Sequence, residues 1–271
     1  MQTVLVPPAD AAPRPLVLLI HGLGTTGAVW DAAASALERQ HGADVLAPDL
    51  PGHGTARAAA PYTLGGLAAA MAAALAGCTG SLGAGAGAMP SRPVLVAGHS
   101  LGGYVALALA SGWFGFAPCA AMSLGARLSF DVAERARAAA VAARRVRYFA
   151  TQAEAVARYR LVAGLAPEQA PDARCLERGV VREERGFRLA TDPAAFGIVV
   201  PEFAALLAAA RCPVLVARGE HDALVSRAQC ERLGTLTAQL AGLGHNAHVE
   251  DPARLAALIA GLLVGQPMGV I

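Results

Sequence analysis

Gly98-His99-Ser100-Leu101-Gly102-Gly103 places a hydroxyl side chain between glycines two residues to either side. A serine that attacks a carbonyl must stand clear of its strand on a sharp turn. The backbone of that turn leaves no room for side chains at the flanking positions, which is the steric origin of the G-x-S-x-G nucleophile elbow. Such a hydroxyl also needs a base to take its proton and a third group to orient the base. Of the seven histidines, His245 lies in Gly242-Leu243-Gly244-His245-Asn246, and Asp222 directly follows an apolar run. The chain order Ser100, Asp222, His245 is the order expected of a hydrolase with its nucleophile on such an elbow. The backbone N–H groups of Leu101, at a helix start, and of Leu23, after the first apolar run, are the candidate donors to a developing oxyanion. Asp49 is the rival acid.

These residues need rigid elements to hold them. Leu16–Ile20, Val45–Ala47, Val94–Ala97 and Val214–Ala217 are short apolar runs that each end in turn residues. They have the composition of strands in a parallel sheet covered on both faces. Helical stretches alternate with them, at Thr26–Gln40, Leu64–Leu75, Leu101–Ala110 and Pro252–Leu263, so an α/β fold with right-handed crossovers is expected. Gly77–Ser91 is glycine-rich and aperiodic, the composition of a mobile surface loop. From Arg127 to about Val200 the alternation stops, with helices expected at Ala133–Ala143 and Glu154–Val162 and no strand before Cys212. The expected organisation is a core of residues 1–126 and 201–271 with a mainly helical cap over 127–200.

The composition narrows the chemistry. All 22 cationic residues among the 271 are arginine. Without lysine there is no Schiff base, no phosphate-loop lysine and no lysine general base. A net charge of +2 gives no basic patch for nucleic acid. The 5 cysteines are odd in number and widely spaced, with no C-x-x-C pair, so neither a disulfide framework nor a zinc site is expected. Met1 to Pro15 has no basic start followed by an apolar run, and no stretch is long enough to span a membrane, so the expected location is the cytoplasm. Between Arg127 and Arg188 there are 13 Arg against 8 Asp plus Glu. Such arginines usually form a solvated face, and the sharper alternative is that some of Arg144, Arg145, Arg147, Arg158 and Arg160 bind a carboxylate or phosphate of the substrate.

Other motifs compete. Gly22-Leu23-Gly24-Thr25-Thr26-Gly27 follows a strand, opens a helix and has Asp49 further on, which is the dinucleotide fingerprint and makes an NAD-dependent oxidoreductase the rival enzyme class. A binding protein with an idle triad is the rival outside enzymology. His245-x-x-His248-x-x-Asp251 lacks a third nitrogen ligand for a metal, and Asp251 reads as the cap of the last helix. His21 and His53 read as structural hydrogen-bonding residues, and His99 and His221 as packing or orienting groups. Phe130, Tyr148, Phe149, Tyr159, Phe187 and Phe196 read as the core of the cap.

Taken together, His21-Gly22 through Trp30, Asp49-Leu50-Pro51-Gly52-His53-Gly54, the Ser100 elbow, Gly219-Glu220-His221-Asp222 and Gly244-His245-Asn246-Ala247-His248 resemble the α/β-hydrolase superfamily, in its small capped, esterase-like branch. The resemblance implies an eight-stranded, mostly parallel sheet with a helical lid inserted after the sixth strand. It also implies a Ser-His-Asp triad that needs no cofactor or metal, and it selects His245 over His248 as the base. Gly22, His21, His99 and Trp30 are expected on the substrate side. Serine at position 100 departs from the aspartate nucleophile of dehalogenases and epoxide hydrolases, and the absent lysine departs from the hydroxynitrile lyases. Hydrolysis of a small ester, lactone or thioester is the implied activity, with diketone C–C hydrolysis or perhydrolysis as alternatives on the same triad.

Overall fold

Alternate residues of Leu16–Ile20 (β1) face opposite sides of a sheet, and all five are buried. Leu16, Leu18 and Ile20 join one core cluster, Val17 and Leu19 the other, so both faces are covered. The computed structural model of the chain describes residues 13–79, 92–166, 169, 171 and 173–265. Beyond β1 the sheet contains Asp44–Leu46 (β2), Val94–His99 (β3) and Ala120–Leu124 (β4). A separate two-stranded hairpin follows, Val180–Glu183 (β5) with Gly186–Leu189 (β6), before the sheet resumes at Val214–Gly219 (β7) and Leu236–Leu240 (β8). The order β2-β1-β3-β4-β7-β8 is parallel at every pairing.

The helices that cover it are Asp31–His41 (α1), Leu64–Thr79 (α2) and Leu101–Ala110 (α3). Between β4 and β7 come Val132–Ala142 (α4), Gln152–Val162 (α5), Ala173–Arg178 (α6) and Phe203–Ala209 (α7). Arg227–Glu231 (α8), Ala247–Glu250 (α9) and Pro252–Leu263 (α10) complete the chain. α2 and α3 pack on one face, with Met71, Leu75 and Leu107, while α1 and α10 pack on the other, with Leu37, Leu258 and Ile259. Asp131 and Thr151 cap α4 and α5 in capping boxes with Glu134 and Glu154. Asp251 accepts from the Arg254 N–H at 2.9 Å and caps α10, whose first residue is Pro252.

Several expectations need correction. Among the described residues the sheet has six of the eight expected strands. Residues 1–12, 80–91 and 266–271 lie outside those described. The stretch expected as a helical insertion follows the fourth strand of this sheet and carries the β5–β6 hairpin as well as helices. That hairpin turns through Glu184-Arg185 into Gly186, at φ 115°, so its one glycine is the first residue of β6 and does not lie between the strands. Gly77, Cys78 and Thr79 belong to α2, and the remainder of the expected Gly77–Ser91 loop, from residue 80, lies outside the described residues. No helix among the described residues is long and apolar enough to cross a membrane.

The connectivity decides where chemistry can occur. From β1 the chain goes outward to β2, then returns to β3 on the other side of β1. The carboxyl ends of β1 and β3 therefore flank a topological switch point, where the departing loops separate and leave a crevice. Ile20 is in register with Gly98, and Gly98 with Ser123, so these loops leave the sheet at one level.

Candidate active site

Ser100 follows β3 directly and has φ 51° and ψ −114°, the only non-glycine with positive φ among the described residues. A side chain in that region costs about 1–3 kcal/mol and persists only where its surroundings impose it. Here they do: a Cβ on Gly98 would overlap the Gly102 carbonyl, and one on Gly102 would overlap the Ile20 carbonyl. The turn is closed by the Ser100 N–H donating to Leu124 O at 2.8 Å and the Gly103 N–H donating to Ser100 O at 3.0 Å. α3 begins at the next residue, so its amino end, with the partial positive charge of its free N–H groups, lies beside the hydroxyl.

Asp222 follows β7 and His245 follows β8. His245 Nδ1 donates to Asp222 Oδ2 at 3.0 Å, with the carboxylate buried and the imidazole partly exposed. Asp222 Oδ1 accepts from the Leu224 N–H at 2.9 Å. With Nδ1 protonated, the Nε2 lone pair is the free basic position of His245. No hydrogen bond joins Ser100 to His245 among the described residues, although His99 Nε2 lies 3.0 Å from the His245 carbonyl and ties the base to the residue before the nucleophile. Such catalytic hydrogen bonds commonly tighten only when substrate is bound.

The loop after β1 is held by histidines. His21 Nε2 accepts from the Leu50 N–H at 2.8 Å, so Nδ1 carries the proton and donates to Gly22 O at 2.8 Å. His53 Nε2 accepts from the Gly24 N–H at 3.2 Å. Burial holds both imidazoles in the neutral form these bonds require, pushing His21 down to about 3 and His53 to about 4. Between them Leu23 is suspended. Neither its N–H nor that of Leu101 finds an acceptor among the described residues. Gly22 itself has no space for a side chain: a Cβ would stand 2.9 Å from His99 Nδ1 and 3.3 Å from Ser100 Cβ.

Asp49 is used differently. Its Oδ1 accepts from the Gly27 N–H at 2.8 Å, and its Oδ2 from the Thr55 N–H at 2.8 Å, the Thr55 hydroxyl and Arg178 at 2.6 Å. Burial works to raise its pKa, but these donors outweigh it and hold the carboxyl below its ordinary value. This pins the start of the helical layer, the Pro51-Gly52-His53-Gly54 turn and α6 to one point. A carboxylate so engaged is unavailable to His245 or to a ribose hydroxyl, which removes the support for Asp49 as the acid and for the dinucleotide reading of Gly22–Gly27.

Trp30, expected beside substrate, is wholly buried in the core, its ring 4.5 Å from that of His248. The His99 ring lies 4.3 Å from that of His248 and 4.6 Å from that of His245, tilted at 39° and 58°, so the three imidazoles form one contact cluster. His99 contacts His245 through both its ring and the His245 carbonyl, and its unpartnered Nδ1 is buried. Arg160, among the arginines weighed for an anion, spends its guanidinium on the carbonyls of Ala166 and Gln169. Among the described residues no cluster of His, Cys, Asp and Glu is arranged to hold a metal.

Two contributors escaped the sequence reading. Buried Arg218 donates to Val225 O, Gln239 Oε1 and the Glu220 and Asp222 carbonyls, and so fastens the loop that carries the acid. A charge inside an otherwise apolar strand, Val-Leu-Val-Ala-Arg-Gly, was the available signal, since a buried guanidinium must be satisfied. Gly125, at φ 60°, allows the Asp222–His245 pair to lie against the backbone after β4, where a Cβ would come within 3.2 Å of Asp222 Oδ2 and 3.3 Å of His245 Nδ1.

The buried neutral histidines have a consequence for stability. His21, His53 and His248, with folded values of about 3, 4 and 3 against an ordinary 6.5, are protonated in the unfolded chain before they are in the folded one. Their contribution is complete above pH 6.5 and is lost as pH falls toward those values, at up to about 1.4 kcal/mol per pH unit for each group. Thermal melts from pH 7 to pH 4.5 should therefore show a steep fall in Tm; a flat Tm between pH 7 and 5 would show that these rings are not buried and neutral.

The comparisons bear on this geometry. The model of the Alpha/beta hydrolase family matches residues 17–258, from β1 through α10. Lipase LipV of Mycobacterium tuberculosis is 40% identical over 95 residues, a match that spans only 35% of this chain and 31% of the lipase. Among solved structures, a thioesterase domain from the curacin biosynthetic pathway superposes with a TM-score of 0.70 at 23% identity, covering 91% of this chain and 90% of that one. An esterase from Thermogutta terrifontis gives 0.65 at 24% identity, covering 94% and 90%. With the match running through the strands that carry Ser100, Asp222 and His245, the chain belongs to the alpha/beta hydrolase family.

Proposed function

We propose that the protein is a serine hydrolase that cleaves a small ester, lactone or thioester through an acyl-enzyme at Ser100. The observation that carries this reading is the strained Ser100 backbone, at φ 51°, on the same sheet edge as a buried carboxylate bonded to His245 Nδ1 at 3.0 Å. His245 Nε2 takes the Ser100 proton as Oγ attacks the carbonyl carbon. The N–H groups of Leu23 and Leu101 receive the oxyanion, and the alcohol or thiol leaves with the proton from His245. Water, deprotonated by the same nitrogen, then releases the acid and regenerates Ser100. Asp222 keeps the imidazole in the tautomer that leaves Nε2 free, and residues 127–200 form the cap that shields the acyl-enzyme. The relatives named as a lipase, a thioesterase and an esterase favour this bond class over C–C hydrolysis.

A fluorophosphonate, which phosphonylates an activated serine, combined with a panel of 4-nitrophenyl esters and acyl thioesters, tests the reading. The expected result is a single adduct that peptide mapping assigns to Ser100, with turnover of at least one ester or thioester. An unlabelled protein that hydrolyses none of them overturns it.

A further inference from the structure

Arg144, Arg145, Arg147 and Arg158 line one cavity of about 350 Å³ between α4, α5 and the β6 strand, together with Val162 and Phe196. Apart from Thr191 its remaining walls are apolar, Phe149 and Leu161 among them, and no carboxylate lines it. None of the four guanidiniums has a carboxylate partner among the described residues, whereas Arg127, Arg174, Arg178 and Arg188 of the same segment all do. Arg147 lies with its guanidinium carbon 4.9 Å from the centre of the Phe149 ring, which braces the cation against an apolar wall. In the adjoining hollow, which shares Arg147 and Arg158, the one acidic lining residue is Glu154, and its carboxylate is already taken by the N–H groups at the start of α5.

The cavity abuts the reacting loop. Val162 and Phe196 rest on Gly24: a Cβ there would come within 2.8 Å of Val162 Cγ1 and 3.7 Å of the Phe196 ring. Gly24 is the neighbour of Leu23, the proposed oxyanion donor. None of Leu23, Ser100, Leu101 and His245 lines the cavity, so a substrate that reaches the arginines from the carbonyl must extend past Gly24 over Val162 and Phe196.

We infer that this cavity selects substrates whose apolar body ends in a carboxylate or phosphate, the anion being held by Arg144, Arg145, Arg147 and Arg158. The inference rests on the ester-type reaction proposed above and specifies its substrate class. The chemistry matches because a guanidinium forks onto either anion.

The test compares 4-nitrophenyl monoesters of dicarboxylic acids, from succinate to sebacate, with the same compounds capped as methyl esters. For at least one chain length the free acid should have a kcat/KM at least tenfold above its capped partner at low salt, and the advantage should shrink at ~0.5 M NaCl. In Arg144→Gln/Arg145→Gln the ratio of acid to capped ester should fall toward unity, with substantial recovery in Arg144→Lys/Arg145→Lys. Equal rates at every length, or an advantage insensitive to salt, overturn the inference even if Ser100 is labelled and the capped esters turn over, in which case the hydrolase reading stands alone. If no ester turns over, calorimetry on the intact protein decides: octanoate and octyl phosphate bound at least tenfold more tightly than octanol sustain the anion site without the reaction, and equal or absent binding overturns it.

Discussion

Replacing Ser100 with alanine is expected to lower kcat on an activated ester by on the order of a millionfold. In the proposed reaction the hydroxyl is the atom to which the acyl group transfers, and no thiol stands in for it: none of the five cysteines, at positions 78, 119, 175, 212 and 230, belongs to the elbow, and burial raises the thiol pKa of Cys119, Cys212 and Cys230. The variant should keep its fold, because alanine adopts the φ 51° backbone at a cost similar to serine's and the bonds that impose the turn are made by Ser100 N–H, Ser100 O and the flanking glycines. A thermal melt within a few degrees of the parent, with the fluorophosphonate adduct lost, separates loss of chemistry from loss of structure. A decrease of less than about a hundredfold would show that the acyl group travels by another route.

Asp222→Asn carries the next largest expectation, a loss of about ten-thousandfold in kcat with little change in KM. The carboxylate accepts from both His245 Nδ1 and the Leu224 N–H, and it does not reach the surface. An asparagine that keeps its oxygen on Leu224 turns its NH2 toward Nδ1. Nδ1 must then accept, the imidazole proton moves to Nε2, and the lone pair that should receive the Ser100 proton is gone. The Asp222 side chain exposes no surface for a substrate to touch, so KM is expected to change little. A loss of only tenfold would indicate that orientation of the imidazole comes from elsewhere, for instance from the His99 contact with the His245 carbonyl.

Much of this could be read along the chain because local sterics and periodicity leave local traces. β1, α3 and α10 have the bounds that their apolar runs and turn residues suggested, Leu16–Ile20, Leu101–Ala110 and Pro252–Leu263. β4 escaped because Ala120-Ala-Met-Ser-Leu124 has none of the β-branched residues that mark a buried strand, and β8 because Leu236–Leu240 is a half-exposed edge strand with Thr237 and Gln239 in it. Both are strands chiefly because a neighbouring parallel strand was available to pair with, which no short window of sequence reveals. Arg218 and Gly125 escaped for a related reason: each matters through what it touches in three dimensions.

What the sequence determined by itself is the set of local demands: glycines at 98 and 102 that permit a strained serine, an acid placed after an apolar run and a base in a glycine turn ahead of the last helix, and a cation inventory of arginine alone. Only the tertiary structure decided which partners those groups take. Asp49 and Asp222 both end a strand, yet one is consumed by Gly27, Thr55 and Arg178 while the other holds His245. Arg160 and Arg158 sit two residues apart on one helix, and one is spent on carbonyls while the other faces the cavity over Gly24. The physical reason is range. Backbone strain and hydrophobic period act over a few residues, whereas a hydrogen bond or an ion pair is made across whatever distance the chain has folded through.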